Sequence, residues 1–413
     1  MIRTEGNPSR DEAAAFTIEH LAQRRGTQAV EVRDPGCTHP RAPKVLFVFA
    51  KARRDYLIQF REGRAPRDFF YGMFDLAELG VSCRYVETGT RRLAGWGALR
   101  LIHLLFARAT GLGFNLQQSL LSLRSRGGCN IMFATTDSVG MPLAMLKACG
   151  LVKMPLVYAT IGLADHLAAR KGKPVFRLYQ RWLRSVDRFV CYGYEERKKL
   201  LNLFQLPPSR VHFVPFGTDV AYFRTGTERP PRPEDMRPQT DAVLSVGMDA
   251  QRDWALLFRA AQRLPCRFEI VSNLAYSRDL EPPANVTLHP PMPVHEVRSC
   301  YERAPFVVLP VKENTYSAGT ITLLQCMAMG KAVIVSQTGA IRGGYNLAHK
   351  DNCWLVRPGS VEDLTEAIRM LYNHPELRSE IGQRARRAVE ARHTSNAFAK
   401  ALRAIFEKET GEQ

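Results

Sequence analysis

The sequence has no apolar run near the roughly 20 residues that a membrane-spanning helix requires. Its first sixteen residues include acidic side chains and lack the apolar stretch of a secretory signal. The nine cysteines are scattered, odd in number and never spaced as Cys-x-x-Cys. This usage argues against a zinc site and predicts reduced, mostly buried thiols in a cytoplasmic protein.

Acidic residues are scarce in the first half of the chain. Residues 1–220 contain 33 Lys and Arg against 18 Asp and Glu, a net charge of +15, whereas the remainder carries +3. This asymmetry predicts an anionic partner for the first half, and nucleic acid, anionic lipid and a phosphate-bearing acceptor all qualify. We expect no nucleic-acid binding, because the basic half lacks interleaved exposed aromatic residues and a recognised reader motif.

An amphipathic segment lies between Glu87 and Asp137, where no acidic residue occurs. Drawn as a helix, residues 91–106 place Arg92, Trp96, Arg100 and His103 on one narrow edge beside a wide apolar face. A helix lying on a membrane surface has this pattern, so Arg92, Trp96 and Arg100 are predicted membrane contacts. The alternative is a helix packed on the sheet of its domain with a solvated basic edge.

The chain is organised around residues 305–336. This stretch divides into a buried strand, a loop, an apolar helix and a second buried strand at residues 306–309, 312–318, 319–329 and 332–335. Gly330 stands where a left-handed residue would end the helix. The pattern predicts a βαβ unit with parallel strands and a right-handed crossover.

Ligands of parallel sheets bind just beyond the carboxyl ends of the strands, which here means the loop and the first turn of the helix. The free N–H groups of Gly319 and Thr320, with the helix dipole behind them, would seat an anion or a sugar hydroxyl. The alternative is an ordinary core helix, because its residues are apolar almost all round.

Strands and helices alternate on both sides of a proline-rich segment, so two doubly wound parallel sheets are expected. We expect a lead-in at residues 1–42 with a short helix over residues 10–24. The first domain then takes residues 43–225, the linker 226–240 and the second domain 241–390, with a last helix at 391–413. After the first strand we expect a basic loop that extends to a helix over residues 67–79.

The run LLQCMAMGKAVIVS, at residues 323–336, resembles the donor-site segment of the family-four retaining glycosyltransferases. The run from Pro215 to Asp219 is similar to the Pro-Asn-Gly-Val-Asp that closes their first domain. The resemblance covers residues 150–395 well and the first 150 loosely. It implies α/β architecture of the GT-B class, two Rossmann-like domains facing across a cleft, with the last helix crossing back onto the first domain. It also implies sugar transfer from a nucleoside-diphosphate sugar with retention and without a metal, and no Asp-x-Asp pair occurs.

The resemblance also implies the donor-binding residues. Family members place two cations after the first strand of the second domain to clasp the diphosphate. Here Met248 stands at the first position and Arg252 near the second. The predicted donor-binding set is Gly247, Arg252, Ser317, Ala318, Gly319, Thr320 and Gln325.

The family motif has two glutamates eight positions apart, and this chain has Ser317 and Gln325 there. Glutamine retains hydrogen bonding to a ribose hydroxyl, whereas serine supplies no carboxylate and equally fits a helix N-cap. Glu313, four positions upstream, is a second candidate for the sugar. The predicted catalytic residues are therefore His166, Ser317 and Glu313, since relatives carry a histidine near the donor sugar.

The acceptor side is assigned to Lys51, Arg53, Arg54 and Gly162. Family members usually have a glycine-rich loop after the first strand, and this chain has an arginine-rich one. Three hypotheses stay open. The enzyme acts on a lipid-linked or phosphate-bearing acceptor at the inner membrane face, it acts on a soluble natural product, or the chain binds nucleotide sugars without turning them over.

Overall fold

The computed structural model describes residues 17–24, 27–33, 43–88, 96–224, 240–273 and 279–411. Its first sheet has eight strands: β1 Thr17–Arg24, β2 Thr27–Arg33, β3 Lys44–Val48, β4 Ser82–Thr88, β5 Ile131–Ala134, β6 Leu156–Thr160, β7 Arg188–Cys191 and β8 Val211–Phe213. Their order is β1-β2-β4-β3-β5-β6-β7-β8. The six neighbouring strands β4, β3, β5, β6, β7 and β8 are parallel to one another. β1 and β2 form a hairpin, and β2 pairs antiparallel with β4 at the edge of these six strands.

The second sheet has six strands: β9 Val243–Gly247, β10 Phe268–Ser272, β11 Val286–His289, β12 Val307–Leu309, β13 Val333–Ser336 and β14 Trp354–Val356. Their order is β11-β10-β9-β12-β13-β14, and every pairing is parallel. The central strands β9, β12 and β13 are buried throughout, as expected for a sheet covered by helices on both faces.

Eight helices accompany the first sheet: α1 Arg54–Arg61, α2 Met73–Glu78, α3 Trp96–Thr110, α4 Leu116–Arg124, α5 Asp137–Ala148, α6 Leu163–Ala168, α7 Pro174–Leu183 and α8 Tyr194–Phe204. Six follow in the second half: α9 Trp254–Ala261, α10 Val294–Arg303, α11 Thr320–Ala328, α12 Val361–Asn373, α13 Pro375–Arg392 and α14 Ser395–Thr410. Short 3-10 turns occupy Arg67–Phe70 and Pro208–Arg210. No described helix is long and apolar enough to cross a membrane.

The last helix joins the two halves of the molecule. α14 lies after the second sheet in sequence but packs against α2 and β5 of the first. The ring of Phe406 meets that of Phe133 edge-on at 5.5 Å, and Ser395 Oγ donates to Asp75 Oδ1 at 2.8 Å. One hydrophobic cluster therefore runs through both halves.

The predicted helix over residues 10–24 is wrong where the structure describes it, because Thr17–Arg24 is a strand. Thr17–Arg24 and Thr27–Arg33 form a hairpin, and Thr27–Arg33 also pairs with β4. Pairing of Thr17–Arg24 with Thr27–Arg33, which joins the β4 edge, outweighs the helix propensity of Glu, Leu, Ala and Gln.

The segment after β3 also differs from the prediction. Arg54 and Arg61 open and close helix α1 instead of lying in a loop. The helix expected over residues 67–79 is interrupted, because Tyr71 and Gly72 have left-handed φ values of 51° and 76° between the 3-10 turn and α2.

The cysteines behave as predicted where the structure describes them. The eight described cysteines are free, and six of them are buried. Cys37, like residues 225–239 of the expected linker, lies outside the described residues.

Candidate active site

The site begins with the βαβ unit formed by β12, α11 and β13, whose predicted parallel pairing is confirmed by the register Val307 to Val333. Gly319 is the N-cap of α11 with φ 77°, and Gly330 follows the helix with φ 67°. Both values lie in the left-handed region that glycine adopts without a Cβ clash. The two glycines therefore set where the chain enters and leaves the helix.

Arg252 fills the space between the end of β9 and the tip of α11. Its side chain is buried, with 3% of the residue exposed, and a Cβ added to Gly247 would collide with it. A Cβ on Gly319 would lie 2.5 Å from Nη1. Only glycine at both positions leaves room for the guanidinium here.

Backbone contacts fix the segment that carries Arg252. Asp253 N donates to Pro310 O and Lys312 N donates to Gln251 O, each at 2.9 Å. These bonds attach the β9–α9 turn to the end of β12. The arginine is therefore held by a rigid connection between two neighbouring strands.

The Arg252 guanidinium is only partly paired. Nη2 donates to Thr322 Oγ1 at 3.3 Å, while Nε and Nη1 have no hydrogen-bond partner among the described residues. Asp249 Oδ2 lies 3.4 Å from Nε, close enough for an ion pair but without hydrogen-bond geometry. A buried cation with free donors is costly, so an anion bound here would offset that cost.

The tip of α11 differs in detail from the expectation. Thr320 N donates to Ser317 O at 3.2 Å, so the prediction of a free N–H at Thr320 is wrong. The prediction that Ser317 is the N-cap is also wrong, because Gly319 is the N-cap of α11 and the cap has no side-chain hydrogen bond. The N–H groups of Ile321 and Thr322, in the first turn, have no partner within the helix. Ala318 and Thr320, also in the predicted donor-binding set, are buried.

Glu313 joins two loops at the carboxyl edge of the second sheet. Its Oε1 accepts from Gly339 N at 2.7 Å, and Oε2 lies 3.6 Å from Arg342 Nη2. The carboxylate therefore orders the loop after β13. Contact with a donor sugar, by Glu313 or by Ser317, stays a prediction.

Gln325 faces the first domain. Its Nε2 donates to Asp68 Oδ2 at 3.3 Å. Asp68 also accepts from Thr218 Oγ1 at 2.8 Å and from Asp219 N at 2.6 Å. Burial, followed by the charge of Asp219, raises the pKa of Asp68 to about 7. A ribose contact by Gln325 stays a prediction.

Nothing local in the sequence marked Asp68, which lies 257 positions from Gln325. The run 215–219, which the sequence did mark, was the available signal. The backbone N–H of Asp219 and the hydroxyl of its neighbour Thr218 both donate to the Asp68 carboxylate.

His166 lies on α6 in the first domain, directly after the turn at Gly162. Its Nδ1 is 2.9 Å from Gly162 O, and its ring centroid is 6.3 Å from that of Tyr316 in the second domain. The structure thus brings His166 and Gly162 next to the 312–318 loop, while a catalytic role for His166 stays a prediction.

The two domains are tied together beside His166. Asp165 Oδ2 accepts from Thr315 N at 2.9 Å, and Oδ1 accepts from Thr315 Oγ1 at 2.6 Å and Lys199 Nζ at 2.5 Å. Burial alone would raise the pKa of Asp165, but the hydrogen bonds from Lys199 and Thr315 hold it below its usual value. This carboxylate therefore acts as an ionised clasp between the domains.

Two buried carboxylic acids, both missed by sequence reasoning, support the turn before His166. Asp137 accepts from Tyr158 Oη at 2.8 Å and Ile161 N at 3.1 Å, and Glu196 accepts from Gly162 N at 3.1 Å. Burial raises the pKa of Asp137 to about 7 and that of Glu196 well above its usual value.

Within the described residues, no three His, Cys, Asp or Glu side chains converge as a metal site.

The predicted acceptor-side cations follow β3. Lys51 and Arg54 are exposed, whereas the Arg53 guanidinium lies 4.7 Å above the ring of Phe49. Arg53 is thus held in place by cation–π contact at the carboxyl end of β3.

Helix α3 exposes an apolar face. Leu101, Leu104 and Leu105 are 58%, 52% and 60% exposed, and Arg100 is exposed beside them. His103, expected on the basic edge, points inward and accepts from Phe114 N through Nδ1 at 3.2 Å. Arg92 lies outside the described residues, as does the side chain of Trp96.

Comparison with known proteins supports this architecture. Residues 251–404 match the family model described as "Glycosyl transferase-like". D-inositol 3-phosphate glycosyltransferase 1 of Catenulispora acidiphila is 25% identical over 328 residues, covering 72% of this chain and 73% of that protein. D-inositol 3-phosphate glycosyltransferase of Rhodococcus erythropolis is 24% identical over 281 residues, covering 60% and 62%.

Solved structures share the fold. Sucrose-phosphate synthase from Thermosynechococcus elongatus superposes with a TM-score of 0.64 at 14% identity, covering 90% of this chain and all of that one. Anabaena HepE in complex with UDP-glucose gives a TM-score of 0.61 at 12% identity, covering 88% and 99%. Both likenesses confirm the predicted GT-B fold with two Rossmann-like domains. The matched family model, the two curated relatives and this fold are those of glycosyltransferases.

Proposed function

We propose that the chain transfers a sugar from a nucleoside-diphosphate sugar to an acceptor hydroxyl with retention at the anomeric carbon. The observation that carries this proposal is the buried Arg252 guanidinium between Gly247 and Gly319, whose Nε and Nη1 have no hydrogen-bond partner in the described part of the chain. A diphosphate is the ligand that suits a buried cation at a helix N-terminus. The solved complex of Anabaena HepE with UDP-glucose is consistent with that ligand class.

The chemistry follows from where negative charge develops. When the glycosidic bond breaks, the bonding electrons leave with the diphosphate, so the transition state is stabilised by donors aimed at its oxygens. Arg252 and the first-turn N–H groups of α11 supply those donors. They are fixed in advance by the backbone bonds of the β9–α9 turn, which lowers the cost of reorganisation.

Retention in this proposal comes from attack on the face that the diphosphate leaves. The acceptor hydroxyl forms the new bond to the anomeric carbon and passes its proton to the departing phosphate. His166 and the 312–318 loop line the place where the two domains meet, so they orient the sugar. Ser317 supplies a hydroxyl where relatives have a carboxylate, which makes its contact a neutral hydrogen bond.

The acceptor in this proposal carries a phosphate or a lipid. The first half of the chain has a net charge of +15, and α3 presents exposed leucines with Arg100 and Arg108. Cations beside an exposed apolar face favour an anionic membrane surface. The two curated relatives are named for a phosphorylated polyol.

The test incubates the purified protein with UDP-, GDP- and TDP-sugars and follows both melting temperature and release of nucleotide. We expect one donor to raise the melting temperature and to be hydrolysed slowly without acceptor. With an acceptor extract, NMR of the product should show the anomeric configuration of the donor. If no nucleotide sugar changes melting or is consumed, the proposal fails.

A non-catalytic nucleotide-sugar-binding protein is the second candidate. It is favoured by the loss of both motif glutamates and by Glu313, whose carboxylate is engaged with Gly339. It predicts a rise in melting temperature with the donor but no release of nucleotide, either alone or with membrane extracts.

A further inference from the structure

We infer that Asp137, as a carboxylate, and Glu196, as a neutral carboxylic acid, are positioning residues that hold the turn at residues 160–162 for sugar transfer. This inference deepens the proposed function and rests on it for the reaction that the turn serves. Both residues are buried, Asp137 at the start of α5 and Glu196 in the first turn of α8. They accept from consecutive backbone groups directly after β6, Ile161 N and Gly162 N, each at 3.1 Å.

The turn contacts both halves of the candidate site. A Cβ added to Gly162 would lie 3.1 Å from His166 Nδ1 and 3.3 Å from the ring of Tyr316 in the second domain. Gly162 O lies 2.9 Å from His166 Nδ1. Because a carbonyl only accepts, Nδ1 carries the proton and Nε2 of the neutral ring is left as an acceptor. The turn therefore sets the tautomer of His166 and its position beside the 312–318 loop.

The two acids are not both ionised, because no neighbouring cation of α8 is directed at them. The three basic residues that follow Glu196 on α8 have other partners: Arg197 Nε donates to Val211 O, Lys198 pairs with Glu195, and Lys199 pairs with Asp165. The charge of Asp137 also acts on Glu196. A buried charge without a cation is costly, and a like charge nearby adds to that cost, so one of the two acids keeps its proton.

The hydrogen bonds assign this proton to Glu196. Both oxygens of Asp137 accept, Oδ1 from Tyr158 Oη at 2.8 Å and Oδ2 from Ile161 N, as the oxygens of a carboxylate do. Glu196 Oε2 has no hydrogen-bond partner among the described residues, so the proton fits there. Burial, followed by the charge of Asp137, raises the pKa of Glu196 well above its usual value, whereas burial raises the pKa of Asp137 to about 7. At about pH 8 the pair therefore holds one proton.

The other titratable groups that surround the pair are acids on β6, α6, α7, β7 and the loops of the second domain. They are Tyr158, Asp165, Tyr179, Cys191, Tyr192, Tyr316 and Tyr345. Burial raises the pKa of the tyrosines and of Cys191, so only Asp165 among them is ionised at about pH 8. Its charge also favours the neutral form of Glu196.

Gly140 makes room for the contact between Tyr158 and Asp137. It lies within α5, where glycine is a poor helix former. A Cβ added to Gly140 would collide with the ring of Tyr158. The tyrosine reaches Asp137 because that space is left open.

Infrared spectroscopy of the full chain at about pH 8 locates the proton. A protonated carboxylic acid has a C=O stretch that a carboxylate and an amide lack. We expect Glu196→Gln to remove one such band from the spectrum and Asp137→Asn to leave it in place. Loss of the band in Asp137→Asn alone, or in neither variant, would overturn the assignment.

Nitrogen-15 NMR of the histidines tests the link from Glu196 to His166, whose signals are identified by their absence in His166→Gln. We expect the native ring to be protonated at Nδ1 and bare at Nε2. Glu196→Gln should keep this spectrum, because the amide still accepts from Gly162 N. Glu196→Leu leaves that N–H without an acceptor, so the signals should move towards a mixture of tautomers. An unchanged His166 spectrum in Glu196→Leu would overturn the link.

Turnover of the donor tests the positioning role. Glu196→Gln should keep kcat within about twofold of the native value, whereas Glu196→Leu and Asp137→Asn should lower kcat by about tenfold. KM for the donor should stay unchanged, because Arg252 and the tip of α11 lie in the other domain. The matched control is Asp187→Asn. Asp187 accepts from Leu156 N at 2.7 Å at the opposite end of β6, and its variant should alter neither constant.

A loss of kcat in Glu196→Gln as large as that in Glu196→Leu would overturn the neutral acid. A rise in KM with kcat unchanged would overturn the positioning role. The infrared and NMR spectra need no substrate. If the native protein consumes no nucleotide sugar, the proposed function fails, while the spectra still decide where the proton lies and whether Glu196 governs His166.

Discussion

At the scale of single residues, the burial of Arg252 leads to two opposite effects. The residue is 3% exposed, and two nitrogens of its guanidinium have no hydrogen-bond partner among the residues that the structure describes. Arginine here therefore lowers the stability of the empty protein while it favours an anionic ligand. A loss of stability in exchange for ligand binding is typical of functional sites.

Arg252→Met should raise or preserve the melting temperature of the ligand-free protein, because a buried charge with only part of its donors satisfied is replaced by an apolar chain. It should also weaken nucleotide-sugar binding at least about thirtyfold through loss of a charged partner. Calorimetry with the donor and a thermal melt check both effects. Arg259→Met, on the exposed face of α9, is the matched control and should change neither. Retained affinity in Arg252→Met would contradict this role.

Asp68 makes the free energy of unfolding depend on pH. Its pKa is raised from 3.8 to about 7 in the folded state, first by burial and then by Asp219. Between these pH values the folded state holds a proton that the unfolded state has lost, so stability falls as pH rises through about 7.

Asp68→Asn should make the fall in stability from about pH 4 to pH 7 shallower than in the unsubstituted protein, because a titrating carboxyl is removed. Urea unfolding at several pH values measures both slopes. The comparison concerns slopes only, since Asn also alters the bonds to Thr218 and Gln325. Identical slopes would show that Asp68 does not titrate in this range.

At the scale of elements, the N-terminus of α11 depends on Gly319 for two reasons, its left-handed backbone and the lack of a Cβ beside Arg252. A comparison with Gly359 allows the two reasons to be tested separately. Gly359 has a φ of 78°, close to the 77° of Gly319, but no atom of the described residues lies within 4 Å of an added Cβ.

Gly319→Ala and Gly359→Ala should therefore lose similar stability, about 1 kcal/mol from the backbone alone. Only Gly319→Ala should also weaken nucleotide-sugar binding, because the new methyl displaces the guanidinium. Denaturant unfolding and donor titration of both variants test this. Equal donor affinity in the two would contradict the packing of Arg252 against the helix tip.

The elements of the second domain could be predicted because their signals are local. Continuous apolar runs marked β12 and β13, and Gly330 marked the end of α11. The β1–β2 hairpin was missed because Thr17–Arg24 is held as a strand by β2, which itself pairs with the distant β4, as Thr27 does with Thr88.

Part of the site could also be predicted because its sequence signals are local. Arg252 and Gly319 lie in segments with a family pattern. Asp165 meets Thr315 across 150 positions, and Gln325 meets Asp68 across 257. No short-range pattern encodes such contacts, because each depends on how the two domains are placed against one another.

At the scale of the whole molecule, α14 returns the chain from the second domain to the first. Phe398, Leu402, Ile405 and Phe406 are buried there, and Phe406 meets Phe133 of β5. The two domains consequently share a core, and the first domain is incomplete without the end of the chain.

Phe406→Ala should lower the free energy of unfolding by about 3–5 kcal/mol, the cost of a large cavity in a core. Lys400→Ala, exposed on the same helix, should change it by less than about 0.5 kcal/mol. Chemical denaturation measures both. A small effect of Phe406→Ala would show that α14 is not part of the core of the first domain.

The central claim is that Arg252 and the tip of α11 bind the diphosphate of an activated sugar. Its most direct test is a crystal structure of the protein soaked with UDP and, separately, with GDP. The account predicts diphosphate oxygens within hydrogen-bond distance of Arg252 Nε or Nη1 and of the first-turn N–H groups of α11. A nucleotide bound elsewhere, with Arg252 still surrounded only by protein, would contradict it.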